Sequence, residues 1–106
     1  MDLNEYQKLA NKTSVFPKQY LMTYPIIGLA GEVGELANKY KKVLRGDPSL
    51  GEVYKQMEGE LGDILWYVAA IATSFGWDLS QVAEANIAKL KDRKDRNMIK
   101  GAGDGR

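Results

Sequence analysis

The chain has 106 residues, of which 44% are hydrophobic and 27% are charged, a balance typical of one soluble globular domain. Its formal net charge of +1 gives no sign of nucleic-acid binding, and no apolar run is long enough to span a bilayer. The absence of cysteine excludes disulfides and fits a cytoplasmic location. The absence of histidine means that any bound metal must be held by oxygen, which points to Mg²⁺, Mn²⁺ or Ca²⁺.

Four helical segments and no strand are predicted, so we expect an all-α fold, a bundle of about four helices. The first helix spans about residues 2–12 and has Asp2 or Asn4 near its N-cap. The second spans about residues 24–44, with Pro25 in its first turn and apolar residues at alternating steps of four and three. Its several glycines predict that another backbone or a ligand comes close to it.

The third helix, about residues 51–75, contains the apolar run "ILWYVAAIA". It is apolar around nearly its whole circumference and must be buried on all sides, which a few short helices of one subunit cannot achieve. We therefore expect the subunits to assemble through this helix into a homodimer or homotetramer. Gly76 is its predicted C-cap, and a fourth helix over about residues 79–96 has Asp78, or alternatively Ser80, as its predicted N-cap.

Two acidic pairs lie on the second and third helices. Glu32 and Glu35 are three residues apart, as are Glu60 and Asp63, so each pair shares one helix face. Because each pair borders an apolar stripe on consecutive antiparallel helices, the four carboxylates can meet and hold Mg²⁺. The alternative is that they are solvated edges paired with lysines such as Lys39, Lys42 or Lys55.

The fourth helix carries a complementary set of side chains. Asn86, Lys89 and Arg93 follow steps of three and four, so they share a face that can hold phosphate oxygens or simply be solvated. Lys39, beyond the first acidic pair, can contact phosphates or form a salt bridge with an acid. Residues 1–106 are expected to form one domain, with the glycine-rich residues 97–106 as a flexible tail.

These features resemble a known family, the MazG-like nucleotide pyrophosphohydrolases of the all-α NTP pyrophosphatase superfamily. The family pattern is ExxE, a spacer and ExxD, and here a spacer of 24 residues separates Glu35 from Glu60. The surroundings "GLAGEVGEL", "EGELGDILWYV" and "NIAKLKDRK" are similar as well. The resemblance covers about residues 5–96, and the ordered set of motifs is far more specific than one ExxE.

The resemblance implies Mg²⁺-dependent hydrolysis of nucleoside triphosphates, (d)NTPs, to the monophosphate and pyrophosphate, in nucleotide pool control. Mn²⁺ is a possible substitute metal, and the proton acceptor is a carboxylate or a group on the metal. The implied metal ligands are Glu32, Glu35, Glu60 and Asp63, with Glu32 or Glu35 as the catalytic residue. The implied substrate contacts are Asn86, Lys89 and Arg93, to which the lysine pattern adds Lys39.

Two other functions compete with this hypothesis. A non-catalytic helical oligomer would use its acidic edges for ion pairing or partner binding. A nucleic-acid-binding module would use the basic C-terminal segment, but the near-neutral net charge counts against it. If the chain binds nucleotides, the candidates for stacking a base are Tyr20, Trp66, Tyr67 and Trp77, although such aromatic residues more often pack in a core than contact a ligand.

Overall fold

The computed structural model describes residues 1–97, 101, 103 and 104, and within these the chain is helical and has no strand. The all-α prediction is confirmed, and each of the four helices lies within one residue of its predicted bounds. The predicted tail, 97–106, lies mostly outside the described residues. The elements are α1 (Leu3–Asn11), a 3₁₀ turn (Lys18–Tyr20), α2 (Tyr24–Leu44), α3 (Leu50–Phe75) and α4 (Leu79–Asp95).

Local signals set most of the helix ends. The Asp2 carboxylate accepts a hydrogen bond from the Glu5 backbone N–H at 2.7 Å, which caps α1 as predicted. Pro25 lies in the first turn of α2, where backbone N–H groups have no partner within the helix, so the lack of an N–H in proline costs no helical hydrogen bond. Gly76 ends α3 with a φ of 77°, a left-handed conformation that glycine adopts without steric cost.

The N-terminus of α4 differs from the prediction. Asp78 occupies the N-cap position, but its side chain makes no capping hydrogen bond. The free N–H groups instead donate to side chains of α1: the Leu79 N–H to Gln7 Oε1 at 2.8 Å, and the Ser80 N–H to Asn4 Oδ1 at 3.0 Å. The cap therefore comes from a different helix, which a local capping motif cannot reveal.

Helices α2 and α3 form the most extensive helix pair, and α1 packs across α3 and α4. The pair is antiparallel, since Gly28 lies against Tyr67 while Lys39, further along α2, lies against the earlier Glu60. The buried apolar cluster is small and joins α1, α3 and the start of α4. Its members are Ala10, Ala69, Ala72 and Leu79, with Tyr6, Trp66 and Val68 packed against them.

The apolar circumference of α3 is only partly covered within one chain. Ala69 and Ala72 are buried, but Leu61 is 58% exposed and Leu65 is 40% exposed. Helix α4 also exposes apolar side chains among its polar ones, with Ile87 65% exposed. None of the helices in the described part of the chain is long and apolar enough to cross a membrane. The exposed apolar faces are consistent with the expected assembly through α3.

Candidate functional site

The antiparallel register of α2 and α3 brings three predicted carboxylates together. Glu32 comes from α2, and Glu60 and Asp63 come from successive turns of α3. One carboxylate oxygen from each lies within 4.8 Å of the other two. Glu32 and Glu60 are half-buried and Asp63 is exposed, so the cluster has a protected side and a side open to solvent.

The fourth predicted carboxylate lies beside this cluster and does not join it. Glu35 is one turn further along α2, and its side chain is exposed. It is absent from the group of oxygens that Glu32, Glu60 and Asp63 form. Its charge nevertheless contributes to raising the pKa of Glu32, so it acts on the cluster through space.

The charge state of Glu32 reflects this crowding. Its pKa is raised from 4.5 to about 6, first because its carboxyl group shares a hydrogen bond with Glu60. Partial burial and the charges of Asp63, Glu60 and Glu35 raise this pKa further. A proton held between two carboxylates occupies a position where a cation would also be stabilised.

Lys39 lies at the edge of the cluster. Its ammonium Nζ is 3.6 Å from Oε1 of Glu60, and the side chains are 27% and 17% exposed, respectively. Of the two predicted roles for Lys39, the structure contains the salt bridge to an acid. One ammonium against three ionised carboxylates leaves a formal charge of −2, which a divalent cation would balance.

Aromatic rings cover the end of the α2–α3 pair next to the acids. The Tyr67 ring lies so close to Gly28 that a Cβ at that position would overlap it. The group that approaches Gly28 is a side chain and not the backbone that the α2 glycines predicted, and a Cβ at Gly31 or Gly34 would have no described neighbour within 4 Å. The Phe16 ring packs against Tyr24 and Trp66, with distances of 4.8 Å and 5.4 Å between ring centroids, so these rings form one aromatic cluster.

Two tyrosines adjoin the acids: Tyr67, which is one of the predicted base-stacking candidates, and Tyr6, which the sequence analysis did not predict at the site. Burial raises the pKa of Tyr67, and the nearby Tyr24 and the charges of Glu32 and Asp63 raise it further. Burial also raises the pKa of Tyr6 on α1, as does the charge of Asp63. Both phenols therefore adjoin the site while remaining protonated at neutral pH.

The predicted base-stacking residues have different environments. Trp66 donates from Nε1 to Thr13 Oγ1 at 2.8 Å and packs within the aromatic cluster, so it serves the fold. Trp77 is 53% exposed and stacks on Phe75 at a centroid distance of 5.0 Å. Tyr20 is 51% exposed in the connection before α2. Trp77 and Tyr20 thus keep an accessible ring face.

The predicted cationic face of α4 is present. Lys89 Nζ lies 3.0 Å from Asp104 Oδ1, and Arg93 Nη2 lies 2.9 Å from the same oxygen. Asn86 is exposed although its sequence neighbours are apolar, because little of α4 is covered. Asn86, Lys89 and Trp77 line an open cleft of about 500 Å³. Helix α4 packs against α1 and α3, and in the described residues it has no comparable packing against α2.

The region that contains all these features matches a protein family. Residues 23–98 match the MazG nucleotide pyrophosphohydrolase domain, which spans both acidic pairs and the cationic face of α4. The chain belongs to the MazG nucleotide pyrophosphohydrolase family. The MazG chain is also 40% identical, over 114 aligned residues that cover both proteins completely, to the Gene 37 protein of Mycobacterium phage L5. That relative's name states no activity, and no solved structure matches the chain.

The acidic cluster of this MazG chain has the right chemistry for a hard divalent cation. Carboxylate oxygens are the ligands that Mg²⁺ and Mn²⁺ prefer, and the chain has no histidine or cysteine to favour a softer metal. The raised pKa of Glu32 and the Lys39 ion pair both indicate uncompensated negative charge among these carboxylates. The MazG family and this cluster together indicate a hydrolase that acts on nucleotide pyrophosphate bonds.

Proposed function

We propose that this MazG domain hydrolyses (d)NTPs to the nucleoside monophosphate and pyrophosphate with the help of Mg²⁺, for which Mn²⁺ can substitute. The physiological role that follows is control of the nucleotide pool. One observation supports this more than any other: the Glu32, Glu60 and Asp63 oxygens converge within 4.8 Å from two helices of a MazG domain.

Glu32, Glu60 and Asp63 are the proposed metal ligands, while Glu35, whose oxygens lie outside the converging group, is proposed for a different role. When bound, the dication shields the negative charge of the triphosphate and makes a water molecule more acidic. The residues fit this task because they offer hard oxygen donors with a surplus of negative charge.

Glu35 is the proposed proton acceptor. It is exposed and lies outside the converging oxygens, so its carboxylate stays available to take a proton from the attacking water. Glu32 is less suited to this role, since it shares a hydrogen bond with Glu60. The sequence left these two residues as equal candidates, and the different positions of their side chains favour Glu35.

Cationic side chains are proposed to hold the phosphates. Lys89 and Arg93 converge from successive turns of α4, and arginine can bind phosphate oxygens through two N–H groups. Asn86 lies on the same cleft as Lys89, and Lys39 lies at the edge of the acidic cluster. These side chains would stabilise the negative charge that moves to the leaving pyrophosphate.

The test is to incubate the purified protein with each dNTP and NTP, with and without Mg²⁺. Monophosphate and pyrophosphate should appear only with the metal, and diphosphate and orthophosphate should not. Glu35→Gln should lower kcat by about 10²- to 10⁴-fold while Mg²⁺ binding persists. Asp63→Asn should weaken Mg²⁺ binding as well as activity.

The matched control is Glu84→Gln, which removes an exposed carboxylate on α4. Its activity should equal that of the unmodified protein. Full activity of both Glu35→Gln and Asp63→Asn would contradict the proposed site. Mg²⁺ binding without hydrolysis of any triphosphate would instead favour the non-catalytic oligomer.

We also propose that the chain acts as a homodimer or homotetramer assembled through α3. Leu61 lies in two adjoining apolar clefts of about 450 and 430 Å³ along α3, and both open to solvent in the single chain. A second copy of α3 can cover them, as a two-fold axis pairs the same face with itself.

A further inference from the structure

The cationic face of α4 holds a carboxylate from the same chain. Asp104 places a single oxygen, Oδ1, 3.0 Å from Lys89 Nζ and 2.9 Å from Arg93 Nη2. Arg93 Nη2 also lies 3.5 Å from the carbonyl oxygen of Gly103. The Arg93 side chain is 5% exposed and that of Asp104 is 79% exposed, so a buried cation meets an accessible anion.

This arrangement leaves hydrogen-bonding capacity unused. Arg93 Nε is buried and has no hydrogen-bond partner in the described part of the chain. A buried donor without a partner is unfavourable, and most such donors in proteins are satisfied. A phosphate group offers three acceptor oxygens where Asp104 brings one oxygen to the two cations, so it can satisfy more of these donors.

The charges are also unequal. Two cations face one carboxylate, which leaves a net positive charge at the position that Asp104 occupies. Hydrogen bonds from Lys89 and Arg93 lower the pKa of Asp104, so this carboxylate stays ionised at neutral pH. A phosphate carries more negative charge than a carboxylate and should therefore displace it.

We propose that Asp104 is a built-in competitor that occupies the phosphate-binding position on α4 and must leave before a nucleotide phosphate can bind. This inference depends on the proposed function only because it takes the ligand that competes with Asp104 to be a nucleotide phosphate. The contact is autoinhibitory in its effect: it raises the concentration of phosphate ligand that is needed to fill the site.

The size of the effect follows from the type of contact. Ion pairs that involve an exposed side chain change an equilibrium by a small factor, because solvent screens them and the exposed side chain loses freedom. The competitor is tethered to the same chain and is present at every concentration of protein. Removing it should therefore tighten phosphate binding by roughly two- to sixfold.

The experiment measures binding of inorganic pyrophosphate by calorimetry at low salt, in EDTA, to the full chain and to Asp104→Asn. Without a metal, the acidic cluster adds no attraction for pyrophosphate. Asp104→Asn should bind pyrophosphate roughly two- to sixfold more tightly. Lys89→Gln should bind it more weakly, which locates the ligand on α4.

The matched control is Asp92→Asn, which removes the same charge from the same region. Asp92 pairs with Arg96 at 2.9 Å and does not touch Lys89 or Arg93 through any described contact. Its affinity for pyrophosphate should match that of the unmodified protein. If Asp92→Asn and Asp104→Asn both bound pyrophosphate more tightly by the same factor, the effect would come from net charge alone and the proposal would be overturned. So would unchanged affinity in Asp104→Asn, or no pyrophosphate binding by any variant.

Activity separates this proposal from the proposed function. If the protein hydrolyses triphosphates, Asp104→Asn should lower KM roughly two- to sixfold with little change in kcat. An active protein whose KM does not change in Asp104→Asn would refute the competitor and leave the hydrolase intact. Tighter pyrophosphate binding by Asp104→Asn in a protein without hydrolase activity would refute the hydrolase and leave the competitor intact.

Discussion

At the scale of single residues, Glu32 links the stability of the metal-free protein to pH. Its pKa is raised from 4.5 to about 6 in the folded chain, so the folded state binds this proton more tightly than the unfolded state does. The stabilising contribution is fully present below pH 4.5 and is lost as the pH rises through about 6. A bound dication should replace the proton and restore stability at neutral pH.

The first prediction is that Glu32→Gln reduces the fall in Tm of the metal-free protein between pH 5 and pH 7. Tm should be measured in EDTA across this range for the unmodified protein, for Glu32→Gln and for the exposed control Glu84→Gln. Addition of Mg²⁺ at pH 7 should raise the Tm of the unmodified protein but not that of Glu32→Gln. Identical pH profiles for all three proteins would contradict the shared proton.

Gly28 gives the second prediction, since it is the α2 glycine against which another group packs. A Cβ at Gly28 would overlap the Tyr67 ring, whereas a Cβ at Gly31 would have no described neighbour within 4 Å. Gly28→Ala should therefore destabilise the fold by about 1–3 kcal/mol through overpacking. Gly31→Ala should instead stabilise the helix by up to about 1 kcal/mol, because alanine is the better helix former.

Urea unfolding of the two glycine variants at equal protein concentration provides the measurement. The two substitutions add the same methyl group to the same helix, so the difference in their free energies of unfolding isolates the contact with Tyr67. If Gly28→Ala proved as stable as Gly31→Ala, Tyr67 would not be packed against α2 as described.

At the scale of the elements, α1 holds the start of α4 in place. Gln7 accepts from the Leu79 N–H at 2.8 Å and donates to the Trp77 carbonyl oxygen at 2.8 Å. The third prediction is that Gln7→Ala lowers the free energy of unfolding by about 1–2 kcal/mol, as loss of a helix cap does. Asp78→Ala should cost less than about 0.5 kcal/mol, since its side chain makes no capping bond.

The same urea experiment separates the two capping hypotheses. The sequence motif places the cap on Asp78, and the structure places it on α1. A larger loss of stability in Asp78→Ala than in Gln7→Ala would support the motif and contradict the observed hydrogen bonds.

The helices could be predicted because their determinants are local. Asp2, Pro25 and Gly76 act on their own helix ends, and the apolar periodicity is visible along the chain. The convergence of Glu32 with Glu60 and Asp63 could also be predicted, because the three-residue spacing of each acidic pair places it on one helix face and the two consecutive helices are antiparallel.

The features that sequence reasoning missed depend on long-range contacts. The Gln7 cap reaches 72 residues along the chain, and no local pattern distinguishes this glutamine from an exposed one. The position of Glu35 outside the cluster depends on how α2 is rotated against α3, which spacing alone does not fix. Asp104 lies in a glycine-rich segment and had no feature that linked it to Lys89 or Arg93.

At the scale of the whole molecule, the single chain is too extended for its length. Its radius of gyration is 16.6 Å, while a compact domain of this length has about 13 Å. The buried apolar cluster is small, and large apolar side chains remain exposed along α3 and α4. The proposed pairing with a second copy would add stability, because it would remove this apolar surface from water without further folding.

The fourth prediction follows from the position of Leu61, which lies in both apolar clefts of α3 and is 58% exposed. Burying one leucine side chain contributes about 1.5–3 kcal/mol, and a two-fold interface buries it twice. Leu61→Gln should therefore raise the dissociation constant of the oligomer on the order of a hundredfold or more. Val15→Gln, at a residue 92% exposed outside the helices, should leave assembly unchanged. Sedimentation equilibrium at micromolar concentration should give a dimer or tetramer for the unmodified protein and for Val15→Gln, and a shift towards monomer for Leu61→Gln. A stable monomer of the unmodified protein would mean that α3 stays exposed in solution, and assembly through this helix would then be wrong.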